Sequence, residues 1–446
     1  MFTRLRFREF VLGISLLLLF PMSAHPFGYT HVKVVDFFTG RPIEGARVTL
    51  NNGSPLNHGS FLTGQETIIP TPKARSTIKV KAHGYMRTEE VIPAPLVPNP
   101  YTIKLMPFRP KALYLSFYGI GAKSLRDPAL KLIQETEVNS LVIDIKGDRG
   151  WIPYPSSIPL ASQVGAQRII TVKDMKSLIQ SLKEKGIYTI ARIVVFKDNP
   201  LALARPDLAL KDGGGEIWRD RENLAWVDPF KKEVWDYNIQ IAIEAAQQGF
   251  DEIQFDYVRF PDSSSGPRFS MANTEENRVK AISGFLQEAH DRLLPYNVFL
   301  AADIFGYICW NLNDTNIGQK LEALAPAVDY LSPMLYPSGY HKGIPGYPNP
   351  MANPYEIVYL SLKKAQERTN LPPIRFRPWL QAFRDYAFDR RFFNGREIRG
   401  QIAAAEKFGS QGWMLWNPSN NYSSEALSTR KTPSTITSLA PYPKTL

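Results

Sequence analysis

The stretch FDEIQFDYVRFPD, residues 250–262, places a carboxylate inside a short apolar run. Such a run is typical of a buried β-strand, and Asp256 lies near the end of it. A buried carboxylate without a partner is costly, because the charge loses its hydration. Asp256 therefore needs either a positively charged partner or a chemical role.

Polar and aromatic side chains recur near the ends of other apolar runs. Asp144 lies in SLVIDIK (140–146), and Asp303 lies near the end of VFLAADIFG (298–306). Three carboxylates at such positions are harder to explain by structure alone than any one of them. The other candidates that we expect at the same rim, as groups that bind substrate, are Lys146, Arg192, Arg259, Tyr336, Trp379, Gln381, Trp416 and Asn417.

Strands and helices alternate between residues 110 and 418, which predicts a (β/α)₈ TIM barrel. A doubly wound open sheet is the alternative, but no G-x-G-x-x-G follows the first strand. We expect one helix over 172–186 and another over 228–249, with Asp228 as its N-cap. The predicted strands cover 112–118, 140–146, 188–196, 251–258, 298–306, 329–337, 374–383 and 412–418.

The faces of these strands follow from the alternation of side chains along extended chain. In the fourth strand, Ile253 and Phe255 should face the helices, and Asp256 should face the barrel mouth. In the second strand, Asp144 and Lys146 should share a face. Active sites of such barrels lie at the C-terminal ends of the strands, so we expect the candidate residues to converge there.

Each candidate also has an ordinary structural explanation. Asp144 with Lys146 or Arg192 would form an ion pair, Arg259 would fix its loop, and Asp303 would cap a loop. The aromatic candidates favour carbohydrate, because sugar rings present apolar C–H faces to flat rings. Single-stranded nucleic acid also stacks on aromatic rings, but no interleaved basic groove can be traced, so we expect no nucleic-acid partner.

Metal and cofactor chemistry lack their usual ligands in this sequence. Only His290 and His341 occur in the barrel region, and no H-x-x-H or H-E-x-x-H pattern is present. We therefore predict no metal site and no cofactor. An oxygen-only magnesium or calcium site built from Asp144, Asp148 and Asp256 stays open as an alternative. The net charge of +11 comes from scattered basic residues and indicates no particular partner.

The N-terminal residues resemble an export signal. Arg4, Arg6 and Arg8 precede an apolar run, and small residues follow, so residues 1–24 are predicted to be a secretory signal peptide. No other stretch is expected to span a membrane. Cys309 is the single cysteine, so no internal disulfide can form, and we expect it in the core. An exported chain without internal disulfides is typical of a bacterial envelope, so we expect a periplasmic, cell-envelope or extracellular protein. Residues 419–446 form a Ser/Thr/Pro-rich tail.

Residues 27–108 are predicted to form a separate small β-sandwich. Short β-branched runs alternate there with Gly, Pro, Asn and Asp turns. The sequence VVDFFTGRPIEGARVTL, followed by IKVKAHGY and YTIKLMP, resembles the carboxypeptidase-regulatory-like (transthyretin-like) domain. This resemblance implies a structural or adhesive module.

The strings SLVIDIKGDRG, DEIQFDYVRFPD and GWMLWNPSN make the barrel resemble a bacterial family of glycoside-hydrolase-like TIM barrels, distantly similar to the α-amylase type. The resemblance implies cleavage of glycosidic bonds. It assigns Asp256 as the nucleophile, although Gln254 stands where the amylase type has arginine. It also implies that Asp303 is the general acid/base, in place of the family's longer glutamate.

Three hypotheses follow for the function. The first is a glycoside hydrolase that cleaves a poly- or oligosaccharide with two carboxylates. The second is a non-catalytic polysaccharide-binding envelope protein, and the third is an enzyme acting on phosphodiesters or nucleic acid.

Overall fold

The computed structural model describes residues 28–51, 58–63, 67–72, 75–92, 100–262 and 266–430 of the chain. The predicted signal peptide (1–24) lies outside the described residues, as does the end of the predicted tail from residue 431.

Two small sheets precede the barrel. One has the strand order β4-β1-β7 and the other the order β3-β2-β5-β6. Burial alternates along β5, where Ile78 and Val80 face an apolar core that residues of both sheets share. The strands are β1 (Tyr29–Asp36), β2 (Arg47–Asn51), β3 (His58–Leu62), β4 (Thr67–Pro70), β5 (Ser76–Lys81), β6 (Thr88–Ile92) and β7 (Tyr101–Leu105).

Eight parallel strands then form a closed barrel, in which each strand pairs with its neighbours in sequence and the last pairs with the first. This confirms the predicted (β/α)₈ architecture. The strands are β8 (Lys111–Leu115), β9 (Ser140–Lys146), β10 (Tyr188–Val194), β11 (Glu252–Asp256), β12 (Phe299–Phe305), β13 (Tyr330–Met334), β14 (Trp379–Gln381) and β15 (Trp413–Trp416).

The helices surround the barrel. The predicted helix at 172–186 is α4, and Asp174 caps it by accepting the Ser177 N–H. The helices are α1 (Phe117–Gly121), α2 (Lys123–Glu135), α3 (Pro159–Gln163), α4 (Met175–Glu184), α5 (Asn199–Ala204), α6 (Lys232–Gln247), α7 (Glu275–Leu293), α8 (Leu321–Leu324), α9 (Pro354–Thr369) and α10 (Gly395–Phe408).

Several element boundaries differ from the predictions by a few residues, and the two largest differences are at the starts of α6 and of the seventh strand. Helix α6 begins at Lys232, because the Asp228 carboxylate instead accepts from the backbone N–H groups of Phe230, in the loop before α6, and of Ser270, in the loop before α7. The seventh strand contains only Trp379–Gln381, because Pro373–Arg375 forms a 3₁₀ turn before it.

The strand faces agree with the predicted alternation in β11. Ile253 and Phe255 belong to the core between strands and helices, whereas Gln254 donates to Ser332 Oγ inside the barrel at 3.1 Å. In β9 the alternation breaks. Arg192 of β10 pairs with Asp144, but the next residue of β10, Ile193, pairs with Lys146, so one residue of β9 is skipped. This irregularity turns Lys146 away from the side of Asp144.

The small sheets lie against the N-terminal end of the barrel, opposite its mouth. Lys81 at the end of β5 donates to the Val298 carbonyl and to Asp329 Oδ2, each at 2.7 Å. Val298 and Asp329 immediately precede β12 and β13. Burial favours the neutral acid, but the charge of Lys81, with a smaller effect of His83, holds the pKa of Asp329 well below its usual range.

We predict that Asp329→Asn lowers the free energy of unfolding by about 3 kcal/mol at neutral pH, because Lys81 loses its partner. A carboxyl whose pKa is lowered by folding stabilises the protein above its unfolded pKa of about 3.9, and that contribution is lost as the pH falls through the folded pKa. Thermal unfolding of both proteins should therefore show a difference that shrinks below about pH 4.

The matched control is Asp127→Asn, because the Asp127 side chain is 59% exposed and lies 3.5 Å from Arg126. It should leave the melting temperature almost unchanged at every pH. A constant difference between wild type and Asp329→Asn across the whole pH range would contradict the role of this ion pair.

Candidate active site

Arg192 is the centre of the site and is almost fully buried. Its Nη1 donates to Asp144 Oδ1 at 2.7 Å, and its Nη2 to Asp148 Oδ1 at 2.8 Å. Its Nε and Nη2 donate to Asp256 Oδ2 at 2.9 and 2.6 Å. The carboxylate in the apolar run thus has its positive partner, and the site has two more carboxylates around the same guanidinium.

This arrangement bears on the oxygen-only metal site considered from the sequence. Asp144, Asp148 and Asp256 do converge, but the guanidinium of Arg192 lies between them and uses their oxygens. Among the described ranges, no group of three His, Cys, Asp or Glu side chains is placed to hold a metal ion.

Asp144 is held on all sides. Its Oδ2 accepts from Tyr114 Oη at 2.7 Å and from the Phe117 N–H at 3.1 Å. Burial raises the pKa of Asp144 to about 6, and the nearby charge of Arg192 opposes that rise. With both oxygens bonded to protein groups, Asp144 is placed to position Arg192.

Asp256 lies at the end of β11 and is 6% exposed. Its Oδ1 accepts from the N–H of Tyr257 at 2.6 Å. Tyr257 has φ of 47°, a left-handed conformation that is uncommon for a bulky residue. Such strain concentrates at functional sites, and here it directs the backbone N–H onto the carboxylate.

Asp303 has a different environment. Its Oδ1 accepts from Trp379 Nε1 at 2.7 Å, whereas its buried Oδ2 has no hydrogen-bond partner among the described residues. Burial and then the charge of Asp256 raise the pKa of Asp303 well above its usual range. Asp303 therefore favours the protonated form that a general acid needs.

A cavity of about 250 Å³ opens at the C-terminal ends of the strands. Six of the candidate residues from the sequence line it, namely Arg192, Asp256, Arg259, Tyr336, Trp379 and Trp416. Asp144 and Asp303 are not among the lining residues, but each accepts a hydrogen bond from one of them, Asp144 from Arg192 and Asp303 from Trp379.

The structure does not bring Lys146, Gln381 or Asn417 to the cavity. Lys146 Nζ donates to Asp198 Oδ2 and Asn238 Oδ1 at 2.6 and 2.7 Å, on the helix side of β9. Gln381 Nε2 donates to Ser338 Oγ at 2.7 Å and holds the loop after β13. Asn417 Nδ2 donates to backbone carbonyls, at 2.8 Å for Ala382.

Other site residues were missed by sequence reasoning. Tyr114 stacks on Trp416 with ring centroids 3.9 Å apart, and the guanidinium of Arg192 lies 4.8 Å from the centroid of the Trp416 ring. Tyr307 and Tyr386 line the cavity from the loops after β12 and β14. Tyr114 lies inside a predicted strand, so strand-face alternation would have found it.

Comparisons with known proteins identify a family and support the barrel fold. Residues 112–422 match the model of the family "DUF4015: Putative glycosyl hydrolase domain". No curated protein matches the chain. No described helix combines the length and apolar character that a membrane crossing requires.

Three solved structures are similar to parts of the chain. A hypothetical protein from Ruminiclostridium thermocellum is 38% identical, over 43% of this chain and 96% of its own, with a TM-score of 0.39. The PgaB (BpsB) glycoside hydrolase domain from Bordetella bronchiseptica is 12% identical over 73% of this chain and 100% of its own, with a TM-score of 0.54. Alpha-L-fucosidase isoenzyme 2 from Paenibacillus thiaminolyticus is 17% identical over 71% of this chain and 47% of its own, with a TM-score of 0.47. The Bordetella structure supports the barrel fold.

We predict that Arg192→Met lowers the free energy of unfolding by about 3–5 kcal/mol at pH 8, because it leaves buried carboxylates without a counter-charge. The pKa of Asp144, already raised, then rises further, since Arg192 no longer opposes burial. A carboxyl with a raised folded pKa stabilises the protein more as the pH falls, so the loss should shrink towards pH 5. Urea unfolding at both pH values measures this.

The control for that change is Arg205→Met, which removes an arginine paired with Asp207 and Glu233 at the surface. It should show little loss and little dependence on pH. A loss for Arg192→Met that is equal at pH 8 and pH 5 would contradict the electrostatic explanation.

We predict that Gly306→Ala destabilises the protein by about 1–3 kcal/mol and narrows the cavity. A Cβ atom at Gly306 would lie 2.5 Å from the Met334 carbonyl oxygen and 2.7 Å from Tyr340 Oη. Gly400 in α10 is the control, because a Cβ there meets nothing within 4 Å. Gly400→Ala should raise the melting temperature, and equal melting temperatures for the two variants would refute the steric argument.

Proposed function

The chain belongs to the DUF4015 family, and on that premise we propose that it hydrolyses glycosidic bonds of a poly- or oligosaccharide in the cavity at Asp256. One observation carries the proposal. Asp256, which is paired with Arg192, lines the cavity. A second carboxyl, that of Asp303, has a pKa raised by burial and by the charge of Asp256. Two carboxyl groups in opposite protonation states are what glycoside hydrolysis requires.

In the proposed reaction, Asp303 gives its proton to the oxygen of the leaving sugar as the glycosidic bond breaks. Asp256 attacks the anomeric carbon and forms a glycosyl–enzyme ester in the retaining version. Water then attacks that carbon, Asp303 takes the proton from the water, and the ester bond to Asp256 breaks. In the inverting version, Asp256 instead removes a proton from the attacking water.

The surrounding residues have supporting roles in this proposal. Arg192 fixes the orientation of Asp256, Tyr336 binds sugar hydroxyls, and Arg259 contacts the bound glycan. Trp379 and Trp416 form the walls against which a sugar ring packs, since aromatic faces match its C–H bonds. We further propose that the protein is exported, with the two N-terminal sheets as a carboxypeptidase-regulatory-like module.

A non-catalytic polysaccharide-binding protein is the second candidate. One observation favours it, because both oxygens of Asp256 already accept hydrogen bonds, from Arg192 and from the Tyr257 N–H. Asp303 is 1% exposed. On this view the carboxylates organise the aromatic walls, and the cavity holds glycan without cleaving it.

We predict that the wild type releases reducing sugar from at least one member of a panel of bacterial and plant polysaccharides. Asp256→Asn and Asp303→Asn should each lower the rate by at least about 100-fold, the usual contribution of such a group. Because Asp303 acts in its protonated form, the wild-type rate should fall as the pH rises through its pKa. Asp291→Asn, a surface change on α7, is the control and should retain the wild-type rate.

Aryl glycosides with acidic leaving groups separate the two carboxyl roles. They need little proton donation, so Asp303→Asn should keep much of its activity on them whereas Asp256→Asn should not. Folding of each variant is checked by circular dichroism. Glycan binding without turnover by wild type would favour the second candidate, and equal turnover by wild type and Asp256→Asn would remove Asp256 from the mechanism.

A further inference from the structure

A second cavity, of about 380 Å³, adjoins the first at the barrel mouth. The two cavities share Tyr257 and Arg259 in their linings. The rest of the second cavity comes from Lys197 after β10 and from the segments 218–226 and 261–262. A chain of sugars bound in the first cavity would therefore continue into the second past these two side chains.

The lining of the second cavity carries four cations and three carboxylates, so one positive charge is in excess. Lys197 Nζ lies 2.9 Å from Glu222 Oε2 and 3.4 Å from Asp220 Oδ2, so these carboxylates are engaged by the lysine. Three arginines and one carboxylate remain in the lining, namely Arg219, Arg221, Arg259 and Asp262. None of the ion pairs among the described residues includes any of these three arginines.

Arg259 is held in a fixed orientation. Its guanidinium carbon lies 5.2 Å from the centroid of the Trp226 ring and 5.1 Å from that of Tyr257. Its Nη1 donates to the Phe260 carbonyl at 3.0 Å. The other N–H groups remain for a ligand, and a planar guanidinium binds a carboxylate through two parallel hydrogen bonds.

We propose that the second cavity is a subsite for an acidic sugar unit, whose carboxylate binds Arg259 and whose neighbouring sugar occupies the first cavity. The inference rests on the proposed function in that the first cavity must accept a sugar. It narrows the substrate class to glycans that contain uronic acids. A neutral sugar would leave the excess positive charge of this lining without a partner, whereas the carboxylate of an acidic sugar would balance it.

The test uses pairs of oligosaccharides that differ only in the acid group. Oligogalacturonates, alginate oligosaccharides and hyaluronan fragments are each compared with their carboxyl-reduced forms. Binding to the full chain carrying Asp256→Asn is measured by calorimetry and by quenching of tryptophan fluorescence, so turnover does not interfere. We expect at least one acidic member to bind about tenfold or more tightly than its reduced form. Added salt should weaken that preference.

Arg259→Gln and the double variant Arg219→Gln/Arg221→Gln should lose the preference for the acidic member. Arg396→Gln, at an exposed position at the start of α10, is the matched control and should keep it. Preference for the acidic form that survives in Arg259→Gln would overturn the assignment. The assignment would also be overturned if, with all three arginines intact, every carboxyl-reduced form bound at least as tightly as its acidic counterpart.

These outcomes are independent of the proposed hydrolysis. Turnover of neutral glycans with no preference for acidic ones would support the proposed hydrolysis and contradict the acidic subsite. Acid-selective binding that depends on Arg259, without turnover by the protein with intact Asp256, would support the subsite and contradict the hydrolysis.

Discussion

The buried guanidinium of Arg192 is the interaction on which the mouth of the barrel depends. Burying so many charges together costs solvation energy, and only close pairing with hydrogen bonds repays that cost. Parallel pairing supplies the geometry, because β10 lies between β9, which carries Asp144, and β11, which carries Asp256. Asp148 reaches the same group from the loop after β9. The polar centre is thus a consequence of strand register.

Much of the fold could be predicted because periodicity and length are local properties of a sequence. All eight barrel strands lie where the alternation of apolar runs and amphipathic helices indicated. The buried Cys309 also agrees with its expected place in the core. Side-chain alternation correctly assigned the two faces of β11, since an uninterrupted strand has a fixed period of two.

The candidate site was less predictable, for reasons that are not local. The irregular register between β9 and β10 turned Lys146 towards α6, and no residue type in SLVIDIK signals such a shift. Gln381 and Asn417 do lie near strand ends, but their amides satisfy nearby backbone and hydroxyl groups. A position at the rim therefore narrows the choice of site residues without deciding which side chains face the cavity.

The segment after the last strand bears on how the protein matures. Asn420 Oδ1 accepts from Ser116 Oγ at 2.6 Å, and Tyr422 Oη donates to the Tyr114 carbonyl at 2.8 Å. Tyr114 belongs to the first barrel strand and donates to Asp144, yet the residues that support it are among the last of the domain to be synthesised. Tyr114, and through it Asp144, therefore gains this support only after the end of the barrel sequence has been synthesised.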